Sequence, residues 1–269
     1  MFLIVVCDRA NFFYRYKTNW ANGCDYYTIP EMIYTIFGLC HTRRKDIKGI
    51  FGCNGSFMEQ HISILIADLS GYTALTETHG AFSAADLIDR YIEIVNDSLV
   101  GTSWLQERVG DEVMIIATHA DDLLATAKVL LQRTSEHNFL QIHGALHYGK
   151  LLKRNNSYFG SALNLTSRIA SQARAGTFLC TPEFYQVIAD KSAHELISLG
   201  MYTFKNVADE KEIFEIISGN SAHYYIDPVC RMIVNKEVKS FSHPDKEGIL
   251  FCSQNCLEMY LSNNSVNNL

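Results

Sequence analysis

A chain of 269 residues with a formal net charge of −6 has room for one good-sized apolar core and a small appendage. The acidic balance argues against nucleic acid or an anionic membrane surface as the main partner. No apolar run approaches the roughly 20 residues that span a bilayer, and the short apolar start lacks the basic lead and cleavage site of a signal peptide. Eight cysteines without an export signal, of which only Cys252 and Cys256 lie close together, favour reduced thiols and a metal site over a disulfide framework, in a cytoplasmic setting.

Residues 1–57 are crowded with aromatics and carry Cys7, Cys24, Cys40 and Cys53 at spacings too wide for zinc knuckles, with no sustained helical or strand period. They read as a small subdomain, as an ordered extension packed on the core, or as residues preceding a start at Met58, the reading favoured here. From Ile62 the pattern is regular. Residues 62–68 form an apolar strand ending on Asp68, followed by Leu69-Ser70-Gly71-Tyr72-Thr73, small enough for backbone amides to approach a phosphate. A helix is expected from Ser83, with Asp86 as its capping partner and Leu87, Tyr91, Ile94, Val95 and Leu99 on one apolar face. Gly101 ends it. Residues 104–116 read as a tight hairpin turning at Gly110-Asp111.

A second amphipathic helix is expected at 121–134, a strand at 139–148 with a turn opening at Gly149, and a helix at 160–172. A short strand at 177–180, a helix at 182–189 opened by Pro182, and strands at 202–204 and 213–217 follow. This order predicts an α+β fold, a mainly antiparallel sheet with helices packed on one face. Residues 218–221 read as a linker, residues 224–260 are too short to stand on an apolar core alone, and residues 263–269 read as a disordered tail. Two carboxylates, Asp68 and Asp111, at the ends of neighbouring buried strands require a cation between them. The economical occupant is a Mg²⁺ or Mn²⁺ pair holding a triphosphate.

Three motifs in order, Asp68-Leu69-Ser70-Gly71-Tyr72-Thr73, Val109-Gly110-Asp111 and Gly160-Ser161-Ala162-Leu163-Asn164-Leu165-Thr166-Ser167-Arg168, resemble class III nucleotidyl cyclases over about residues 62–218. The resemblance implies a ferredoxin-like, palm-type fold. It implies two Mg²⁺ or Mn²⁺ ions on Asp68, Asp111 and the Leu69 carbonyl, with attack of the ribose 3′-hydroxyl on the α-phosphorus and departure of pyrophosphate. Asn164 and Arg168, one helical turn apart, would orient the ribose and stabilise the α-phosphate. Lys205 matches the phosphate-binding lysine, with Asn206 where glycine is usual. In this family one site draws its aspartates and its Asn/Arg pair from different protomers, which implies a head-to-tail homodimer. The base-reading positions fall on Glu107 and Ser157. Glu107 only accepts, which suits the N1–H and N2–H₂ of guanine, and Ser157 can donate to O6, so hydrogen-bond chemistry favours GTP over ATP. A pairing of Glu107 with Arg108 or Lys153 is the competing use of that carboxylate.

Cys230, then Cys252 after twenty-one residues and Cys256 after three more, resemble a YHS/TRASH-type metal module at 219–262. Three thiolates suit Zn²⁺ or Cu⁺, with His243, Asp227 or a partner's group as candidates for the fourth ligand. Arg231 stands where glycine is usual. Cys180, inside an apolar strand, reads as core. The leading expectation is a nucleotidyl cyclase with a metal-responsive appendage. Two rivals are a diguanylate cyclase, suggested by Val109-Gly110-Asp111-Glu112-Val113 and opposed by the Asn164/Arg168 helix, and a non-catalytic nucleotide-binding or metal-sensing scaffold.

Overall fold

The structure, a computed structural model, describes residues 2–8, 11–17, 58–136, 138–189, 191, 194–205, 207, 209–217 and 224–266. The chain divides into two units, Met1–Asn54 and Gly55–Leu269. In the first, β1 (Phe2–Asp8) and β2 (Asn11–Lys17) pair antiparallel with Asp8 opposite Asn11, a hairpin that the sequence pattern does not announce. Whether residues 18–57 form a subdomain or an extension lies outside the described residues.

The second unit is built on β3 (Met58–Leu69), which lies between β5 (Glu112–Ala117) and β6 (Ile142–Arg154). Ile62 to Ala67 are buried without interruption, because this central strand is covered on both faces. Side chains alternate between two layers. Leu65, Ala67 and Leu69 join one, and Ile62, Ile64 and Ile66 join the other. Each fully buried Ile or Leu here contributes about 1.5–3 kcal/mol of transfer free energy. The full order is β4-β5-β3-β6-β8-β10-β9, with β4 (Ser103–Val109), β8 (Phe178–Cys180), β10 (Lys211–Ile216) and β9 (Leu196–Tyr202). Every pairing is antiparallel except β6 with β8.

Helices α1 (Tyr72–Ser98) and α2 (Ala120–Arg133) cover the first layer with α4 (Pro182–Val187), through Leu87, Tyr91, Val95, Leu123, Leu130 and Phe184. The expected placement of all helices on one face does not hold. Helix α3 (Ser161–Ala170) packs Ala162, Ile169 and Ala170 into the opposite layer, since it is the crossover between the parallel strands β6 and β8. Cys180 is buried, and burial pushes its thiol up to about 12, so it is the inert core residue expected.

Several boundaries differ from the sequence reading, among them the starts of β3 and β6. α1 starts at Tyr72 rather than Ser83, and its two halves meet at a kink where Gly80 takes φ 80° and ψ 170°. The apolar face counted from Leu87 belongs to the second half alone. β6 runs past Gly149 to Arg154 and folds back through β7 (Ser157–Phe159), with Asn155 in the left-handed region at φ 55°. β9 occupies Leu196–Tyr202, ahead of the expected 202–204, on the exposed edge where alternation is weak. In residues 224–266, the short pairs β11 (Tyr225–Ile226) with β12 (Ile233–Val234) and β13 (Phe241–Ser242) with β14 (Leu250–Phe251) precede α5 (Gln254–Val266). The backbone of residues 263–266, read as disordered tail, continues that helix.

Candidate active site and cysteine cluster

Asp68 is the penultimate residue of β3, and Asp111 sits in the two-residue turn between β4 and β5. Gly110 takes φ 66° and Asp111 does not take a positive φ, the pattern of a type II′ hairpin, which suits glycine at the first turn position. The turn brings Asp111 beside Asp68, close enough for their carboxyl groups to share a hydrogen bond. Both are about half-buried. Burial raises Asp68, and burial with the Asp68 charge pushes Asp111 up to about 6. Burial and the Asp111 charge also raise Glu112. The buried Tyr91 hydroxyl, which feels the charges of all three carboxylates, has no hydrogen-bond partner among the described residues. Crowded, partly desolvated carboxylates form an all-oxygen donor set that suits hard divalent cations. Leu69 closes β3 with a buried side chain, and its N–H donates to Asp68 Oδ1 at 3.0 Å.

The segment that follows is partly committed. Ser70 N–H donates to the Gln141 carbonyl at 2.7 Å, and Ser70 Oγ lies 2.9 Å from His143 Nδ1, a ring whose pKa burial lowers. Gly71 then caps α1 at φ 95° with no side-chain cap, and the first turn holds no acidic residue. Among the described residues no side chain caps the leading amides of α1, an arrangement that suits an anion.

The other expected residues lie apart from this pair. Asn164 and Arg168 share a face of α3, and neither makes a hydrogen bond or ion pair with Asp68 or Asp111. Glu107 is exposed on β4, just past a bulge at Gln106. Gln106 Nε2 donates to the Asn156 carbonyl at 2.6 Å, which brings the segment carrying Glu107 near the β6–β7 turn and Ser157. Glu107 forms no ion pair with Arg108 or Lys153. Lys205 is exposed in the turn after β9. A cavity of about 590 Å³, bordered by His61, His147, Lys150, Ser161 and Lys211, holds none of these residues.

Cys230, Cys252 and Cys256 converge. Cys230 Sγ lies 3.4 Å from Cys252 Sγ, and Cys252 Sγ lies 3.7 Å from Cys256 Sγ. Hydrogen bonding among the three sulfurs holds Cys256 low as the acceptor thiolate and pushes Cys230 up as a donor. The two named candidates for a fourth ligand are engaged elsewhere. His243 Nδ1 accepts from the N–H groups of Asp245 and Lys246, and the Asp227 carboxylate accepts from Val229, Cys230 and Cys252. The imidazole at the cluster is instead His79 of α1, with Nε2 3.6 Å from Cys252 Sγ and 3.5 Å from Cys256 Sγ. No spacing rule marks it, because it is supplied by the cyclase-like part of the chain.

The chain matches no protein-family model. It is 26% identical over 132 residues to a pH-sensitive adenylate cyclase of Mycobacterium tuberculosis, covering 49% of this chain and 33% of that one. It is 27% identical over 169 residues to an adenylate cyclase of Glutamicibacter nicotianae, covering 60% of this chain and 40% of that one. The matches thus span well under half of those relatives. Among solved structures, the adenylyl cyclase CyaB of P. aeruginosa superposes with a TM-score of 0.52 at 20% identity, over 62% of this chain and 98% of that one. The guanylyl cyclase Cya2 superposes with a TM-score of 0.51 at 18% identity, over 61% and 95%. The chain carries the mixed α+β fold of the class III adenylate/guanylate cyclase catalytic domain, and adenylate cyclases are among its sequence relatives.

Proposed function

We propose that this chain is a nucleotidyl cyclase that converts a purine nucleoside triphosphate to its 3′,5′-cyclic monophosphate and pyrophosphate. The observation that carries the reading is the contact between the Asp68 and Asp111 carboxyls at the ends of neighbouring strands. Asp68, Asp111 and the Leu69 carbonyl are the residues that would hold two Mg²⁺ or Mn²⁺ ions. The chemistry such ions supply is neutralisation of the triphosphate and acidification of the ribose 3′-hydroxyl. The uncapped start of α1 receives phosphate oxygens through backbone N–H groups. Asn164 orients the ribose, Arg168 stabilises charge on the α-phosphate, and Lys205 meets the departing pyrophosphate. Among the described residues Asn164 and Arg168 share no hydrogen bond or ion pair with the aspartates of their own chain, which is consistent with a head-to-tail homodimer completing two sites.

Glu107 and Ser157 read the base, and their donor and acceptor pattern fits guanine. Two of the sequence relatives are adenylate cyclases, so the base is the point of tension. Residues 58–218 form the catalytic domain. Residues 219–262 form a YHS/TRASH-type module binding Zn²⁺ or Cu⁺ through Cys230, Cys252 and Cys256. A cytoplasmic setting keeps those thiols reduced; no helix among the described residues is long and apolar enough to cross a membrane.

Purified protein with Mn²⁺ and GTP or ATP, with products identified by mass, tests the reading. A 3′,5′-cyclic monophosphate with stoichiometric pyrophosphate supports it, and linear dinucleotide or bound, unreacted nucleotide ends it. The double substitution Glu107→Lys, Ser157→Asp is expected to shift preference toward ATP by about 10–100-fold, the scale of one or two rearranged hydrogen bonds.

A further inference from the structure

The ligand atoms of His79, Cys230, Cys252 and Cys256 all lie within 4.8 Å of one another. With zinc–sulfur bonds of about 2.3 Å and zinc–nitrogen bonds of about 2.0 Å, a tetrahedral site has S···S edges of about 3.8 Å and S···N edges of about 3.5 Å. Four of the six edges, 3.4 and 3.7 Å between sulfurs and 3.5 and 3.6 Å from sulfur to Nε2, match those of a tetrahedron around one ion, and the remaining two lie within 4.8 Å. Three thiolates and one imidazole in a closed set suit Zn²⁺, whereas Cu⁺ is content with fewer, softer ligands.

What the site joins matters more than its composition. His79 is the last residue before the Gly80 kink, so it ends the short first half of α1, which begins at Tyr72, four residues after Asp68. Residues 224–266 grip this half-helix at both ends. At its start, the Arg231 stem packs on Gly71 so closely that a Cβ there would lie 2.4 Å from Arg231 Cβ. At its finish, Asn255 Nδ2 donates to the Thr78 carbonyl, one of those freed by the kink, at 3.5 Å. Ile233 exchanges backbone hydrogen bonds with residues 138 and 139, at 3.0 and 2.8 Å, which anchors the C-terminal segment to the sheet unit independently of the cysteines.

We propose that His79, Cys230, Cys252 and Cys256 form a zinc site that fastens the C-terminal segment to the first half of α1, and that occupancy sets the position of the phosphate-facing end of that helix. The structural part stands on the geometry alone; the consequence for turnover rests on the cyclase reading above. His79 is a ligand and a positioning residue, remote from the reacting atoms.

The test uses the full chain, reduced, stripped of metal, and reloaded with Zn²⁺, or with Co²⁺ as a spectroscopic probe. One equivalent is expected to bind, with Co²⁺ showing tetrahedral d–d bands and thiolate charge transfer. His79→Ala is expected to weaken zinc binding by at least about 10–100-fold, since even an outer partner of a ligand costs that much. His79→Cys is expected to restore tight binding and strengthen the charge-transfer band. Amide exchange over residues 72–79 is expected to slow on zinc loading in the parent and in His79→Cys but not in His79→Ala. Unchanged affinity in His79→Ala, exchange over 72–79 indifferent to zinc, or a strict preference for Cu⁺ would each overturn the proposal. None of these readouts requires turnover, so they hold whether or not the chain is a cyclase. A chain that makes cyclic nucleotide at the same rate with and without zinc keeps the cyclase function and overturns the coupling.

Discussion

The eight-stranded sheet and the C-terminal residues 224–266 hold their chemically important groups in contrasting ways. In the sheet, two apolar layers fix the ends of β3 and the β4–β5 turn, so Asp68 and Asp111 are brought together against their mutual repulsion. Among the described residues, the C-terminal segment's own buried cluster is small, made of Cys230, Phe251 and Cys256, and two of those three are candidate ligands themselves. A scaffold with surplus packing energy can afford a strained, like-charged site. A segment without it draws its order from whatever binds.

The largest test of that contrast is Asp111→Asn. Loss of one ligand for the catalytic cations is expected to lower turnover by about 10³-fold or more. The ion-free protein is nevertheless expected to gain thermal stability at pH 7.5, because the substitution removes a charge that Asp68 opposes; a falling melting temperature would break the comparison. Next, Leu65→Ala in the fully buried centre of β3 is expected to cost about 2–5 kcal/mol by denaturant melting, equally with and without zinc. Zinc withdrawal, by contrast, is expected to expose residues 224–266 to limited proteolysis and leave the sheet intact.

Smaller effects separate the two ends of the half-helix. Gly71→Ala combines a positive φ with a close contact to Arg231, and is expected to cost about 2 kcal/mol or more. Gly80→Ala meets open space, so the backbone strain of φ 80° and ψ 170° is expected to act alone, at about 1–3 kcal/mol. The smallest effect is a pH dependence. Asp68, Asp111 and Glu112 titrate above their ordinary values, Asp111 at about 6, so the ion-free folded state binds protons more tightly than the unfolded chain. That stability is fully present below an unfolded carboxylate pKa of about 4 and is lost as pH rises through about 6. Mn²⁺ is therefore expected to raise the melting temperature by a few degrees at pH 7.5 and not at pH 5, where protons occupy the same oxygens.

The residues read most easily were those with a local pattern. The strand ending on Asp68, the Gly110-Asp111 turn and the Asn164/Arg168 spacing are each set by neighbours within a few positions. Helix α1 was read from its second half, because Gly80 breaks the periodicity and hides the turn that begins at Tyr72. The opposite face taken by α3 follows from the parallel β6–β8 pairing, a long-range choice with no local mark. His79 was missed for the same reason. Its neighbours describe a helix, and its partners are supplied by the far end of the chain.

His79 Nε2 and Cys256 Sγ meet across 177 residues of sequence. Closing so long a loop in an unfolded chain costs about 4–5 kcal/mol of entropy, but here the folded sheet bears that cost beforehand. During synthesis, the imidazole is in place while the thiols are still to be made. The residues that finish the cage are therefore made long after the helix that they fasten.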